Sequence, residues 1–176
     1  MFNEKAISIK KATPKDTIRI AKLHHTMWKS TTGSFVDQSF FNKITCSFFV
    51  DKWKTWLIEQ KKITLLAEKN KLLLGFITIE IENTRSYPEI QFIYVSYKYR
   101  FNNLQKLLCE AAFKVLAEQG FAKIYFSIAK GNQADLILYK LIQGYINEKE
   151  ITKKIFGFEF QEVRYEFDIS LFSYFL

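Results

Sequence analysis

The sequence predicts one α/β domain with the element order β-α-α-β-β-β-α-β-α-β-β. Three observations carry that reading. Residues 63–95 hold successive apolar runs of strand length between short polar turns, residues 104–116 carry a strong helical stripe, and the chain alternates with period two from FGFEF onward. The 176 residues suit a single domain with a substantial core, since domains of this size bury about 70% of the surface their unfolded chains expose. With 48% hydrophobic residues, 25% charged residues and only 6 Gly and 2 Pro, the composition excludes a disordered, collagenous or linker-dominated chain.

The elements follow in order. ISIKKA (7–12) is a short alternating strand closed by Thr13-Pro14. Residues 15–30 then read as a helix with Ile20, Leu23 and Met27 on one stripe and Ala21 and Trp28 beside it, with Thr13 or Asp16 supplying the oxygen that meets unpaired N–H groups at its start. Gly33 and Ser34 interrupt, and a discontinuous helical region runs from about 38 to 60 with Trp53, Trp56 and Leu57 on one face. ITLLAEK, LLLGFITIEI and EIQFIYVS form a three-strand meander, its first pair antiparallel through the turn at Lys69, Asn70 and Lys71. After the basic segment YKYRFNN, Leu104, Leu107, Leu108, Ala111, Ala112, Val115 and Leu116 mark a helix that Gly120 stops. AKIYFSIA (122–129) is a fifth strand, Gly131-Asn132 opens a helix through about 141, and 142–154 reads as a polar helix or loop. FGFEF and the alternation of Val163, Tyr165, Phe167 and Ile169 with Arg164, Glu166, Asp168 and Ser170 describe two final strands with one solvated side.

No apolar stretch approaches the roughly 18 residues of a membrane span, so the expectation is a soluble protein that does not use a membrane. MFNEKAISIKKATP has no apolar core before a small-residue cleavage site, which leaves cytoplasmic residence as the expected location. Cys46 and Cys109 are far apart in apolar surroundings and read as reduced thiols. The net charge of +8 fits either a basic face for RNA or a compositional bias, because the lysines are spread along the chain. His24 and His25, adjacent on a helix, point about 100° apart and cannot chelate one metal together, and no zinc, Walker-type or Gly-x-Ser-x-Gly spacing is present, so no metal is expected.

EIQFIYVSYKYRFNNLQKLL resembles the fourth strand and pyrophosphate loop of the GCN5-related N-acetyltransferase (GNAT) superfamily, in which an Ile-x-x-x-Tyr-Val strand leads into [Gln/Arg]-x-x-Gly-x-[Gly/Ala] and a helix. Arg100 matches the first motif position. GNQADLILYK is similar to the family's Asn and Tyr signature, with Asn132 and Tyr139 at the matching positions, and FGFEF resembles the Gly-Phe that follows it. The sequence departs from the pattern at Asn103 and Gln105, which stand where Gly and Gly/Ala are usual, and in the insertion at about 142–154 between Lys140 and Gly157. Asn tolerates positive φ, so Asn103 is expected to preserve the turn, whereas Gln105 brings a long side chain to the first helical turn. The resemblance implies a mixed, mostly antiparallel central sheet flanked by helices.

It also implies acetyl-CoA as cosubstrate and acetyl transfer to a primary amine on a small molecule, a peptide or an aminoacyl-tRNA. The pyrophosphate would lie on Arg100, Phe101, Asn102, Asn103, Leu104, Gln105 and Lys106, with Asn132 nearby, because N–H groups and the helix dipole favour an anion there. Backbone N–H groups of Ile93, Tyr94 and Val95 would bind the pantetheine arm and polarise the thioester carbonyl. Glu89 fits the position of the family's base, and Tyr139 that of the acid which protonates the leaving thiolate. The helical region with His24 and Trp28 lines the acceptor pocket in such proteins. Glu89 also reads as an edge charge beside Pro88, and Tyr139, His24 and Trp28 as packing residues. A binding module of the same fold, acting through protein or RNA contacts, is the alternative that the altered loop raises, and the apolar tail LFSYFL is a candidate surface for a homodimer.

Overall fold

Alternation in ISIKKA produces the short strand β1 (Ser8–Lys11) in the computed structural model, which describes residues 7–32, 38–59, 61–81, 87–99, 103–130, 145–155 and 158–169. Thr13 then ends the strand: its N–H (2.8 Å) and hydroxyl (2.9 Å) both donate to Asp16 Oδ2, and Pro14 opens a single 3-10 turn that feeds α1 (Thr17–Thr32). The second helical region divides as expected, into α2 (Gln38–Lys43) and α3 (Cys46–Glu59).

The meander follows as β2 (Lys62–Lys69), β3 (Leu72–Glu80) and β4 (Glu89–Val95), all antiparallel. Asn70 (φ 51°) and Lys71 (φ 66°) both adopt positive φ, the geometry that lets a two-residue hairpin follow the twist of its strands. Helix α4 (Leu104–Glu118) comes next, then β5 (Lys123–Ala129). Gly120 (φ 85°) closes α4: its N–H donates to Ala117 O and that of Phe121 to Leu116 O, which satisfies two terminal carbonyls.

The chain ends in β6 (Tyr145–Ile155) and β7 (Phe158–Asp168), an antiparallel hairpin. Here the sequence reading is corrected twice. Residues 145–154 lie in a strand rather than a helix or loop, and residues 158–160 of FGFEF belong with 161–168 in one strand rather than two. The physical reason is position: β6 is the outermost strand, and such a strand can carry charges that protect its edge instead of an apolar stripe. The expected helix through 141 lies outside the described residues. The seven strands form one sheet in the order β1-β2-β3-β4-β5-β7-β6, mixed because only β4 and β5 run parallel.

Strand alternation sends two apolar sets to opposite faces. Leu65, Leu74, Ile77, Ile79, Ile93, Val95, Ile124, Phe126 and Ile128 pack against Leu104, Leu108, Ala112, Phe113 and Leu116 of α4. Leu66 and Phe76 pack on the other face against Ile20, Ala21, Trp28, Phe49 and Trp53 of α1 and α3. Gly75 on β3 sits where a Cβ would meet Tyr94 O at 2.7 Å and Val95 Cα at 3.2 Å. Gly75→Ala must therefore push β3 from β4, and is expected to cost about 1–3 kcal/mol, read as a lower urea midpoint at unchanged slope. A midpoint equal to that of the parent would mean that the two strands accommodate the methyl group.

Candidate active site

Two features of β4 build the site. Thr78 pairs with Phe92 and Ile79 with Ile90, so Gln91 is an extra residue on β4, a bulge that bends the strand. On its other side, β4 pairs with β5 only at Glu89↔Tyr125 and Ile90↔Phe126. Beyond Ile90 the two parallel strands have no further ladder pairs among the described residues. Among the described residues, Ile93, Tyr94 and Val95 thus lie along a stretch of β4 whose ladder pairs are with β3, past the point where β4 and β5 open from each other.

At the end of β4, a 3-10 turn (Tyr97–Tyr99) leads toward α4. Asn103 precedes the helix at φ 50° and ψ 7°, the left-handed conformation expected of it, with no side-chain capping bond. The first intrahelical bond runs from Leu107 N–H to Asn103 O (3.0 Å), so the N–H groups of Leu104, Gln105 and Lys106 form the helix's donor end. Leu104 is buried in the core, Gln105 is half-buried, and the exposed Lys106 lies 3.8 Å from Glu110 one turn on. Arg100, Phe101, Asn102, Asn132 and Tyr139 lie outside the described residues.

Glu89 sits at the root of the opening, with 0% of its surface exposed. Its Oε1 accepts from Ser127 Oγ (2.9 Å) and Lys153 Nζ (2.7 Å), and its Oε2 from an Arg164 terminal nitrogen (3.2 Å). Burial by itself would push this carboxyl up, but the Lys153 ammonium, the Arg164 guanidinium and the Ser127 hydroxyl outweigh it and hold the group below the ordinary carboxylate range. Ser127, Lys153 and Arg164 are site residues that the sequence reading misses. Ser127 and Arg164 are cross-strand partners on β5 and β7, a relation that depends on register and not on any local motif.

His24 is also fully buried. Trp53 Nε1–H donates to its Nδ1 (3.1 Å), which places the imidazole proton on Nε2, and burial with the charge of neighbouring His25 pushes its pKa down to about 3. The ring of this neutral histidine lies 4.6 Å from that of Phe92 and 5.1 Å from that of Tyr94, while Trp56 stacks on Phe92 at 5.7 Å. Trp28 is 6% exposed and stacks on Phe41 at 5.4 Å. The structure brings His24 and Glu89 to the same sheet face, around β4, but leaves His24 as the buried backing of Phe92 and Tyr94 and Trp28 packed on Phe41 and Phe49. Among the described residues no group of three or more His, Cys, Asp or Glu is arranged to hold a metal, and no helix is long and apolar enough to cross a membrane.

The whole fold is similar to that of several solved structures. The PaiA N-acetyltransferase of Thermoplasma acidophilum, in complex with coenzyme A, superposes with a TM-score of 0.72 at 17% identity, over 92% of this chain and 98% of that one. Mutant forms of the spermidine/spermine N-acetyltransferase SpeG of Vibrio cholerae give 0.70 at 16% identity, over 97% and 98%. An N-acetyltransferase of Staphylococcus aureus Mu50 gives 0.69 at 17% identity, over 93% and 98%. Among curated protein sequences none matches this chain. The model of the acetyltransferase (GNAT) family matches residues 21–145, most of the chain, and the chain belongs to that family.

Proposed function

We propose that this protein transfers an acetyl group from acetyl-CoA to a primary amine, and that the transfer takes place where β4 and β5 part. The observation that carries the reading is the parting itself, one strand length before a helix whose donor end is prepared by a left-handed Asn103. These groups fit the cosubstrate: an arm with amides finds the β5 side of Ile93 to Val95, and a pyrophosphate finds the N–H groups of Leu104, Gln105 and Lys106. Bound acetyl-CoA would supply an activated thioester.

Arg100, Phe101 and Asn102 complete the pyrophosphate seat in this reading, with Asn132 beside it. Glu89 receives the ammonium's proton through water, which leaves a neutral amine to attack. Its lowered pKa leaves it ionised at neutral pH, as an ordinary carboxylate would also be, and makes it a weak base, so it holds the accepted proton only in passing before water carries it off. Tyr139, with an ordinary phenol pKa near 10, gives a proton to the departing thiolate. His24 and Trp28 shape the acceptor wall from behind, through Phe92, Tyr94 and Phe41. Acceptors of this kind include small amines, peptides and aminoacyl-tRNA.

Isothermal titration with CoA and acetyl-CoA tests the cosubstrate directly. Both are expected to bind, and Arg100→Ala to weaken binding by about 1–3 kcal/mol through loss of a charge-assisted bond to phosphate. Absence of heat, or equal affinity in the variant, would refute the seat assigned to residues 100–106.

A further inference from the structure

The β6–β7 hairpin reaches Glu89 by a path that a flat sheet does not allow. Glu89 is level with Tyr125 on β5, which pairs with Glu166 on β7, whereas Lys153 on β6 pairs with Phe160. From Glu166 to Phe160 is six residues, roughly 20 Å along a strand, and β6 stands three places from β4, roughly 14 Å across. No lysine and glutamate side chains span such a diagonal, yet Lys153 Nζ lies 2.7 Å from Glu89 Oε1. Among the described residues the ladder of β5 to β7 runs to Ala129↔Glu162, with Lys130 N–H donating to Gln161 O (2.9 Å). Past that point the hairpin therefore bends over the sheet face that carries Ser127, Arg164 and Glu89, and Lys153 is delivered from above the face.

We propose that Lys153 is a positioning residue for acetyl transfer, its ammonium carried over the sheet by the bent hairpin to keep the Glu89 carboxylate ionised and fixed at the root of the β4–β5 opening. The inference rests on the reading of Glu89 as proton acceptor. Among the described residues, the other groups facing Glu89 do not replace Lys153. Arg164 of β7 reaches the second carboxylate oxygen at 3.2 Å and also lies over the Tyr125 ring of β5 (5.2 Å), and Ser127 of β5 carries no charge. Glu80 of β3, directly across from Glu89, is a like charge bound to Lys62 of β2, and Glu166 of β7 is held by Lys123 at 2.8 Å. With Glu89 fully buried and Lys153 only 22% exposed, water screens their attraction little.

Two measurements test this together. The first follows the Glu89 side-chain carboxyl carbon by NMR across pH in the intact protein, with Lys153→Met and Lys153→Arg compared with the parent. The Met variant should titrate at higher pH and the Arg variant near the parent; an unmoved midpoint in Lys153→Met overturns the proposal without touching the function. The second records kcat/KM against pH, by thiol release from acetyl-CoA with spermidine, tryptamine or a lysine-containing peptide, using whichever the parent acetylates. On the acid limb Lys153→Met should fall about tenfold below the parent while the alkaline plateau changes far less, and Lys153→Arg should restore the limb. A purely structural role would lower both regions equally and overturn the proposal. A shifted NMR midpoint with an unshifted acid limb would mean that Glu89 is not the proton acceptor, and no release with any amine would remove both readings.

Discussion

Replacing Glu89 by Gln is expected to lower kcat by about 10²–10⁴ and to leave the affinity for acetyl-CoA close to that of the parent. Gln has nearly the same shape and still accepts from Ser127, but it takes no proton at neutral pH. The seat proposed for the cosubstrate on β4 and α4 does not include this side chain, so a loss confined to kcat separates proton transfer from folding or binding. Stability should fall as well. Removing one member of a buried charge cluster typically costs about 3–5 kcal/mol, and the lower end applies here because Lys153 and Arg164 retain 22% and 27% exposure and can rehydrate in part. Because Glu89 is held below the ordinary carboxylate range, the stability it contributes is complete above that range and disappears as pH falls through the lowered value. A Gln variant that acetylates amines at the parental rate would leave Glu89 as an anchor of the sheet alone.

Trp53→Ala is the substitution expected to cost the fold most, about 3–5 kcal/mol. Trp53 is fully buried, with Trp56 at 5.2 Å and Phe76 at 5.4 Å between ring centres, and its Nε1–H donates to His24 Nδ1. Trp53→Phe restores much of the volume but not the N–H, and should recover all but about 1–3 kcal/mol, the cost of an unsatisfied buried acceptor. Urea midpoints at constant slope measure both; equal midpoints for the Ala variant and the parent would contradict the packing described here. The same histidine gives the fold a pH dependence of known sign. Its pKa drops from an ordinary 6.5 to about 3 on folding, so the unfolded chain takes up a proton first, and stability declines as pH falls through that window.

The meander and α4 are legible in the sequence because their burial shows locally: β2 and β3 are buried on both faces, six consecutive residues each, and so read as continuous apolar runs of strand length, and α4 buries Leu104, Leu108, Ala112 and Leu116 along one stripe. Asn103 is legible for a different reason, as the residue in a motif position that tolerates the left-handed turn its backbone adopts. The β6 strand is not legible, since YINEKEITKKI has the charge of a loop and owes its extended form to β7. The same dependence hides the partners of Glu89. Glu89 itself stands in a recognisable strand, but Ser127, Arg164 and Lys153 come from three other strands, and only register and the bend of the hairpin bring them within 3.2 Å.

The measurement that bears most directly on acetyl transfer is release of free thiol from acetyl-CoA in the presence and absence of a primary amine, paired with mass spectrometry of the amine. Amine-dependent thiol release with an acetylated amine is the result expected, and the thiol and the acetyl amide should accumulate one for one. Tight binding of CoA with no amine-dependent release, across small amines, lysine peptides and aminoacyl-tRNA, would contradict it.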